Sequence, residues 1–313
     1  MNPAPPVTRI RINNPEDVMH QIAFVITCKG RLHHLRQTIP AIVEQAPAEI
    51  IVVDYGCPDN TGDWVEANYP DVKVVRVGDD PGFCLPRARN IGARNSTTPW
   101  ICFIDADIRI NPGWLDWMNS HLAAGCFYRA APDGGVRNNE TFGTVICPRI
   151  PFEQVGGYDE AFRGWGGEDT DLYLRLTDEM KLKEAAYPSS FVEPISHDDS
   201  ERTKFHDIKK RETQHLINVS YIRIKQHLLR EHVDQLPIDV RSDMMEQLKR
   251  QLGRHQEGHR KTYSVVLEIK QLVARDGKQQ DLLVELKKQR RFVLFGARKL
   301  RIRARPARRS GVS

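Results

Sequence analysis

Eleven consecutive residues, Arg163-Gly164-Trp165-Gly166-Gly167-Glu168-Asp169-Thr170-Asp171-Leu172-Tyr173, bring together groups that could do chemistry. Adjacent glycines permit backbone conformations that other residues resist. Trp165 offers a broad apolar platform with one N–H donor. Glu168, Asp169 and Asp171 then fall at the start of an expected helix that continues through Leu172, Leu174 and Leu176. Carboxylates there are stabilised as anions by the helix dipole and the free N–H groups. Such a segment can seat a sugar ring on the indole and hold a base ready for a hydroxyl proton. Taken alone, an acidic helix start after a glycine turn would look the same.

A second acidic pair lies upstream. Trp100-Ile101-Cys102-Phe103-Ile104 is an apolar run that reads as a buried strand, and it ends in Asp105-Ala106-Asp107. Alternate residues of an extended segment point to one side, so both carboxylates are expected to face one ligand. Oxygen donors of this kind suit Mg²⁺ or Mn²⁺, which in turn neutralises a diphosphate.

The elements that must position these groups alternate between strand and helix. Strands are expected over 22–27, 49–54, 72–77 and 100–104, with helices over about 32–45, 59–69 and 85–95. Strands separated by helices imply right-handed crossovers and a mainly parallel sheet, whose ligands bind beyond the strand C-termini. After Gly125 the alternation fades, and from about Lys204 the pattern reads as almost purely helical. The expected organisation is a catalytic domain over 1–203 and a helical extension over 204–313. Within the first, about 20–125 would bind the nucleotide and about 126–203 the acceptor and metal. The extension ends in a basic tail over 287–309 and offers a surface for homo-oligomers.

Composition bounds the class. A hydrophobic fraction of 40% and a charged fraction of 28% are ordinary for a soluble protein. No run is long enough to span a bilayer, and Met1–Asn14 lacks a signal-peptide core. Six cysteines without a Cys-x-x-Cys pattern read as buried thiols, pointing to the cytoplasm. Residues 287–309 carry eleven Lys or Arg and no acid; removing them from the formal total of +5 leaves −6. A basic tail on an acidic body suggests an anionic partner: nucleic acid, or a membrane, which would make the protein peripheral on the inner face of the cell membrane.

The two acidic blocks carry a resemblance. Phe103-Ile104-Asp105-Ala106-Asp107, Gly156-Gly157-Tyr158-Asp159-Glu160-Ala161-Phe162 and Trp165-Gly166-Gly167-Glu168-Asp169 resemble metal-dependent glycosyltransferases of the GT-A fold. The later blocks are similar to β-1,4-galactosyltransferase and chondroitin-polymerase domains, and the likeness covers roughly residues 20–200. It implies an α/β, Rossmann-like fold, a UDP-sugar donor carrying galactose or N-acetylgalactosamine, and Mn²⁺ (or Mg²⁺). Asp107 and His197 would hold the metal, with Asp105 on the ribose or on the metal through water. Asp169 would act as the base and Glu168 would hold sugar hydroxyls. Thr27, Lys29 and Arg31 would contact uracil, ribose or diphosphate, and Asp54 would accept from the uracil N3–H. Arg87 would touch the donor, and Asn90 would bond within the site or fix a neighbouring loop. Arg89 would be solvated or functional, and Trp165 would stack on a sugar or support the glycine turn.

The implied activity is inverting transfer of a hexose to a glycan or lipid-linked hydroxyl, in surface polysaccharide or glycoconjugate synthesis. Two rival classes are a sugar nucleotidyltransferase, which would need a glycine-rich phosphate loop after the first strand, and a nucleic-acid-binding protein acting through the tail.

Overall fold

The computed structural model describes residues 21–196, 198–253, 263–290 and 298–307. The chain forms two compact units. The first contains the described residues up to Pro81, with Ala88–Gly157 and Tyr173–Ser196; the second contains Gly82–Arg87, Tyr158–Leu172 and the described residues after Ser196. Compactness thus divides the chain elsewhere than at 203/204.

The first unit is built on a seven-stranded sheet. In chain order its elements are β1 (Ile22–Cys28), α1 (Leu32–Val43), β2 (Glu49–Asp54), α2 (Thr61–Asn68), β3 (Lys73–Arg76), α3 (Leu85–Arg94), β4 (Trp100–Asp105), β5 (Ile108–Ile110), α4 (Trp114–His121), β6 (Cys126–Ala130), β7 (Val145–Pro148), α5 (Arg149–Gln154), α6 (Glu168–Asp178), β8 (Lys183–Tyr187) and β9 (Val192–Pro194). Helices α3 and α6 begin in residues of the second unit. The strand order is β3-β2-β1-β4-β7-β6-β8, and β5 pairs separately with β9. β3, β2, β1 and β4 are mutually parallel. β7 runs antiparallel to β4 and β6, while β6 and β8 are parallel. The expected mainly parallel α/β sheet is therefore present, and the loss of alternation after Gly125 marks the antiparallel β7.

Every residue of β1 is buried, as a parallel strand covered on both faces requires. One layer of the core gathers Phe24, Ile26, Cys102 and Ile104 with Trp114, whose ring lies 5.3 Å from Phe24 and edge-on to Tyr187 at 5.8 Å. On the other face α3 approaches the sheet through Gly92. A Cβ there would lie 2.2 Å from Val25 Cγ1 and 3.1 Å from Val53 Cγ2, so only glycine allows this approach.

The second unit is not the expected all-helical extension. It has α7 (Asp199–Thr203), α8 (Arg211–Glu231) and α9 (Ile238–Leu252), followed by β10 (Tyr263–Val273), β11 (Gln279–Arg290) and β12 (Arg298–Pro306). The three strands form an antiparallel sheet in chain order. In β10, Val265, Leu267 and Ile269 are buried while Ser264, Val266, Glu268 and Lys270 are exposed, a period of two that outweighs the helix propensity of Glu, Lys, Gln and Leu. Asp276-Gly277, with Gly277 at φ +79°, marks the β10–β11 turn, a hairpin signal that was available in the sequence.

Helix α9 closes the outer edge of this sheet with side chains. Gln247 donates to Glu268 O at 2.7 Å and accepts from Glu268 N at 2.9 Å; Gln251 does the same with Val266, at 2.7 and 3.0 Å. Spaced by four, the two amides lie on one helix face and substitute for a neighbouring strand. Among the described residues no helix is long and apolar enough to cross a membrane. Phe292 to Phe295, an apolar patch within the basic tail, lies outside the described residues.

Candidate functional site

In the first unit, register aligns the C-terminal ends of three parallel strands. Thr27 pairs with Asp105 across β1 and β4, and Cys28 with Asp54 across β1 and β2. Open α/β sheets bind ligands at such strand ends. Asp105 closes β4, half-buried, and its Oδ1 accepts from Arg89 Nη2 at 2.9 Å. Arg89 is 1% exposed and therefore not a solvated side chain. Asp107 Oδ2 accepts from Arg31 Nη1 at 2.5 Å.

The expectation that both carboxylates sit on one side of an extended segment is corrected. The chain turns at Ala106–Asp107, and the Asp107 carbonyl accepts from Ile195 N at 2.8 Å. Strand alternation therefore does not relate the two side chains; each is instead oriented by its own arginine.

The loop after β1 is similarly braced. The Lys29 ammonium donates to Tyr55 O at 3.0 Å and is buried, not a free surface charge. Asp54 accepts from Cys57 N at 2.7 Å through Oδ1 and from Gly62 N at 2.8 Å through Oδ2, capping the turn into α2. Gly30 N–H donates to Cys57 Sγ at 3.0 Å, and Thr61 Oγ1 does so at 2.9 Å. Hydrogen bonding from Cys28, with these donors, outweighs burial and lowers the Cys57 thiol to about 5. Asn90 is buried in α3, where its Oδ1 fills the space that a Cβ on Gly157 would enter at 2.5 Å.

In the second unit, Arg87 stands half-buried in the first turn of α3. Gly164, Gly166 and Gly167 take φ of +129°, +77° and +96°, which explains their residue type. Glu168, Asp169 and Asp171 occupy the first turn of α6, all buried. Tyr158 OH donates to Asp169 Oδ1 at 3.3 Å. The Trp165 ring lies under the Arg211 guanidinium at 3.9 Å.

Beneath this loop is a stripe that sequence reasoning missed. Arg211, Gln214, Asn218, Tyr221 and Lys225 recur every three or four residues on α8, and the last four are buried. Asn218 Nδ2 donates to Trp165 O at 3.1 Å and to Gly166 O, and accepts through Oδ1 from Gln214 at 2.9 Å. Lys225 donates to Asp159 Oδ2 at 2.7 Å and bridges to Asp171. Tyr221 OH donates to Asp159 Oδ2 at 2.7 Å, and Arg241 of α9 binds Asp159 Oδ1. Burial pushes the Asp159 carboxyl up, but the Lys225 and Arg241 charges outweigh it and hold the group at about 2. A search for apolar periodicity passes over such a face because its members are polar.

A divalent cation fits the donors at the end of β4. Asp105 and Asp107 offer hard carboxylate oxygens, and Asp105 keeps 28% of its side chain exposed. The arginine already on each carboxylate shows that the locality accommodates positive charge. His197, the expected third ligand, lies outside the described residues.

Comparisons with known proteins agree on one family. The model of glycosyl transferase family 2 matches residues 23–154, and that of the N-terminal domain of galactosyltransferase matches 129–198. Validoxylamine A glucosyltransferase of Streptomyces hygroscopicus is 27% identical over 217 residues, covering 50% of this chain and 51% of that protein. Beta-1,4-galactosyltransferase 1 of Homo sapiens is 23% identical over 172 residues, covering 50% of this chain and 37% of that protein. The chain thus spans about half the length of the curated relatives it matches, or less. A mannosyltransferase from Pyrobaculum calidifontis, solved with GDP-Man and Mn²⁺, shares the fold at a TM-score of 0.50 and 15% identity, covering 76% of each chain. Sequence models, relatives and the sheet topology converge: residues 23–198 resemble a family-2-like glycosyltransferase domain, on a fold shared with that mannosyltransferase.

Proposed function

We propose that this protein is an inverting, metal-dependent glycosyltransferase. It moves galactose or N-acetylgalactosamine from a UDP-sugar to a hydroxyl of a glycan or lipid-linked acceptor, in surface polysaccharide or glycoconjugate synthesis. The observation that carries the reading is the pairing of Asp105 with Arg89 and Asp107 with Arg31 at the strand ends. Carboxylates for a cation, beside guanidiniums for phosphate oxygens, suit a nucleoside diphosphate. The galactosyltransferase-domain match supports the choice of sugar.

Asp107 and His197 are the proposed metal ligands, with Asp105 on the ribose or on the metal through water. Bound Mn²⁺ (or Mg²⁺) supplies Lewis-acid stabilisation of charge on the departing UDP. Thr27 and Lys29 line the base and ribose, Arg31 lies near the diphosphate or base, Arg87 is a donor contact, and Asn90 bonds within the site or fixes a neighbouring loop. Asp54 accepts from the uracil N3–H with a lone pair beyond those given to Cys57 and Gly62. Asp169 takes the acceptor proton as the hydroxyl attacks opposite the leaving group, and Glu168 holds sugar hydroxyls. Trp165 presents its indole to a sugar ring.

The edge strand β12 exposes Arg301, Arg303 and Arg305 on one face, which supports docking on an anionic membrane surface. Each basic residue near such a surface contributes about 1 kcal/mol.

Nucleotide release from UDP-galactose, UDP-N-acetylgalactosamine, UDP-glucose, UDP-N-acetylglucosamine and UDP-glucuronate tests the reading, with Mn²⁺, Mg²⁺ or EDTA present. Release is expected to be fastest with the first or second donor and absent in EDTA. Release indifferent to EDTA would contradict metal dependence. Pyrophosphate formed from UTP and a sugar phosphate would move the chain to the nucleotidyltransferases.

A further inference from the structure

The family models end at residue 198, yet α8 supplies the groups that hold the acidic loop. We propose that Lys225 is a positioning residue: by bridging Asp159 and Asp171 it sets the backbone and rotamers of Glu168–Asp171, with Tyr221 and Arg241 fixing Asp159 as its anchor. This rests on the reading that Asp169 is the base.

The geometry is specific. Asp159 follows Tyr158, whose hydroxyl donates to Asp169 Oδ1 at 3.3 Å. Asp171 is two residues after Asp169 in the first turn of α6. One short segment therefore touches the acidic turn twice, directly through Tyr158 and through the Lys225 bridge between Asp159 and Asp171. Lys225 is 3% exposed and both aspartates are 2% exposed. Two cations, Lys225 and Arg241, meet the carboxylates of Asp159 and Asp171. A buried ion pair is weak evidence for stability, because an apolar replacement of both partners is often as stable. Its placement beside the base points to orientation instead. Asn218 and Gln214 act in the same direction from the same helix face, leaving no room for a Cβ at Gly164 or Gly167. Tyr221 completes the anchor: burial, and then the Asp159 charge, raise its phenol, so it stays a donor.

The test uses the full chain and compares Lys225→Met/Asp171→Asn, which removes one charge of each sign, with Lys225→Arg and Tyr221→Phe. Melting temperature, backbone hydrogen exchange over 163–172, and UDP release from the UDP-sugar that wild type turns over fastest are measured together. The double variant is expected to melt within a few degrees of wild type. It should nonetheless exchange 163–172 at least tenfold faster, and lose at least tenfold in kcat with less than a threefold change in donor KM. Tyr221→Phe, which preserves shape, should lose threefold or more in kcat, and Lys225→Arg should recover part of the loss. Wild-type exchange and kcat in the double variant, or an unaltered kcat in Tyr221→Phe, would overturn the proposal. If Asp169→Asn keeps full activity while exchange over 163–172 responds to Lys225, the assignment of the base fails and the positioning role stands.

Discussion

Gly92→Ala is the most informative perturbation of the scaffold. Alanine in a helix interior is favoured over glycine by roughly 0.5–1 kcal/mol, so local propensity alone predicts a more stable protein. Packing predicts the opposite. The added Cβ would sit 2.2 Å from Val25 Cγ1 and 3.1 Å from Val53 Cγ2. Optimal carbon–carbon contact is about 3.5–4.0 Å, so the first distance falls short by roughly 1.5 Å. Val25 cannot retreat: it is fully buried in β1, paired with Ile51 on one side and Phe103 on the other. Its branched side chain is also stiff at χ1. Helix α3 must lift, and Arg89 and Asn90 lift with it. Overpacking of this kind costs about 1–3 kcal/mol, and a 2.2 Å approach to a side chain that cannot retreat belongs to the upper part of that range. That leaves a net loss of roughly 1–2.5 kcal/mol after the propensity gain. Urea unfolding should show a lower midpoint at an unchanged m-value. Val25→Ala in the same chain should relieve the clash, giving a favourable coupling of about 1 kcal/mol in the double-mutant cycle. A Gly92→Ala protein as stable as wild type, or strict additivity with Val25→Ala, would refute the reasoning.

Further outcomes follow from other parts of the molecule. Asp159 is held at about 2 in the folded chain against an ordinary aspartate value of 3.8, so its stabilisation is fully present above about 4 and is lost as pH falls through about 2; the difference is about 2 kcal/mol. Acid titration of unfolding should lose that increment in Asp159→Asn, measured against wild type between pH 5 and 2. Gln247→Ala/Gln251→Ala bares the β10 edge and should lower stability by about 1 kcal/mol or more while promoting self-association, read by light scattering. Cys57, with its thiol lowered to about 5, should alkylate at pH 7 ahead of Cys28, Cys102 and Cys147, whose thiols are all raised, as mapped by peptide mass spectrometry.

The parallel half of the sheet was legible because its strands are apolar on both faces and its helices are bounded by polar turns. The expected strands and helices between residues 22 and 105 match the observed ones to within a few residues. The glycine turn and the acidic start of α6 were equally readable, since residue type there follows from backbone conformation and the helix dipole. Three features were not. Asp107 could not be placed from strand alternation, because a turn begins at Ala106. Arg89 looked like one charge among several until its pairing with Asp105 across the fold was seen. The β10–β12 sheet was hidden by helix-favouring residue types, although the alternation of Val265, Leu267 and Ile269 and the Asp276-Gly277 turn were there to be weighed. Lys225 illustrates the general difficulty: its meaning comes from Asp159 and Asp171, more than fifty residues away in sequence, and no local pattern announces it.

The central claim is a cation-dependent nucleotide site at the end of β4, and UDP binding with and without Mn²⁺ in wild type and Asp107→Ala tests it most directly. In wild type, UDP at about a hundred times its Kd should raise unfolding free energy by about 2.7 kcal/mol, and chelation should remove most of that increment. In Asp107→Ala the Mn²⁺-dependent part should vanish, leaving only weak, metal-independent binding through Arg31. An equal Mn²⁺-dependent increment in both proteins would contradict the account.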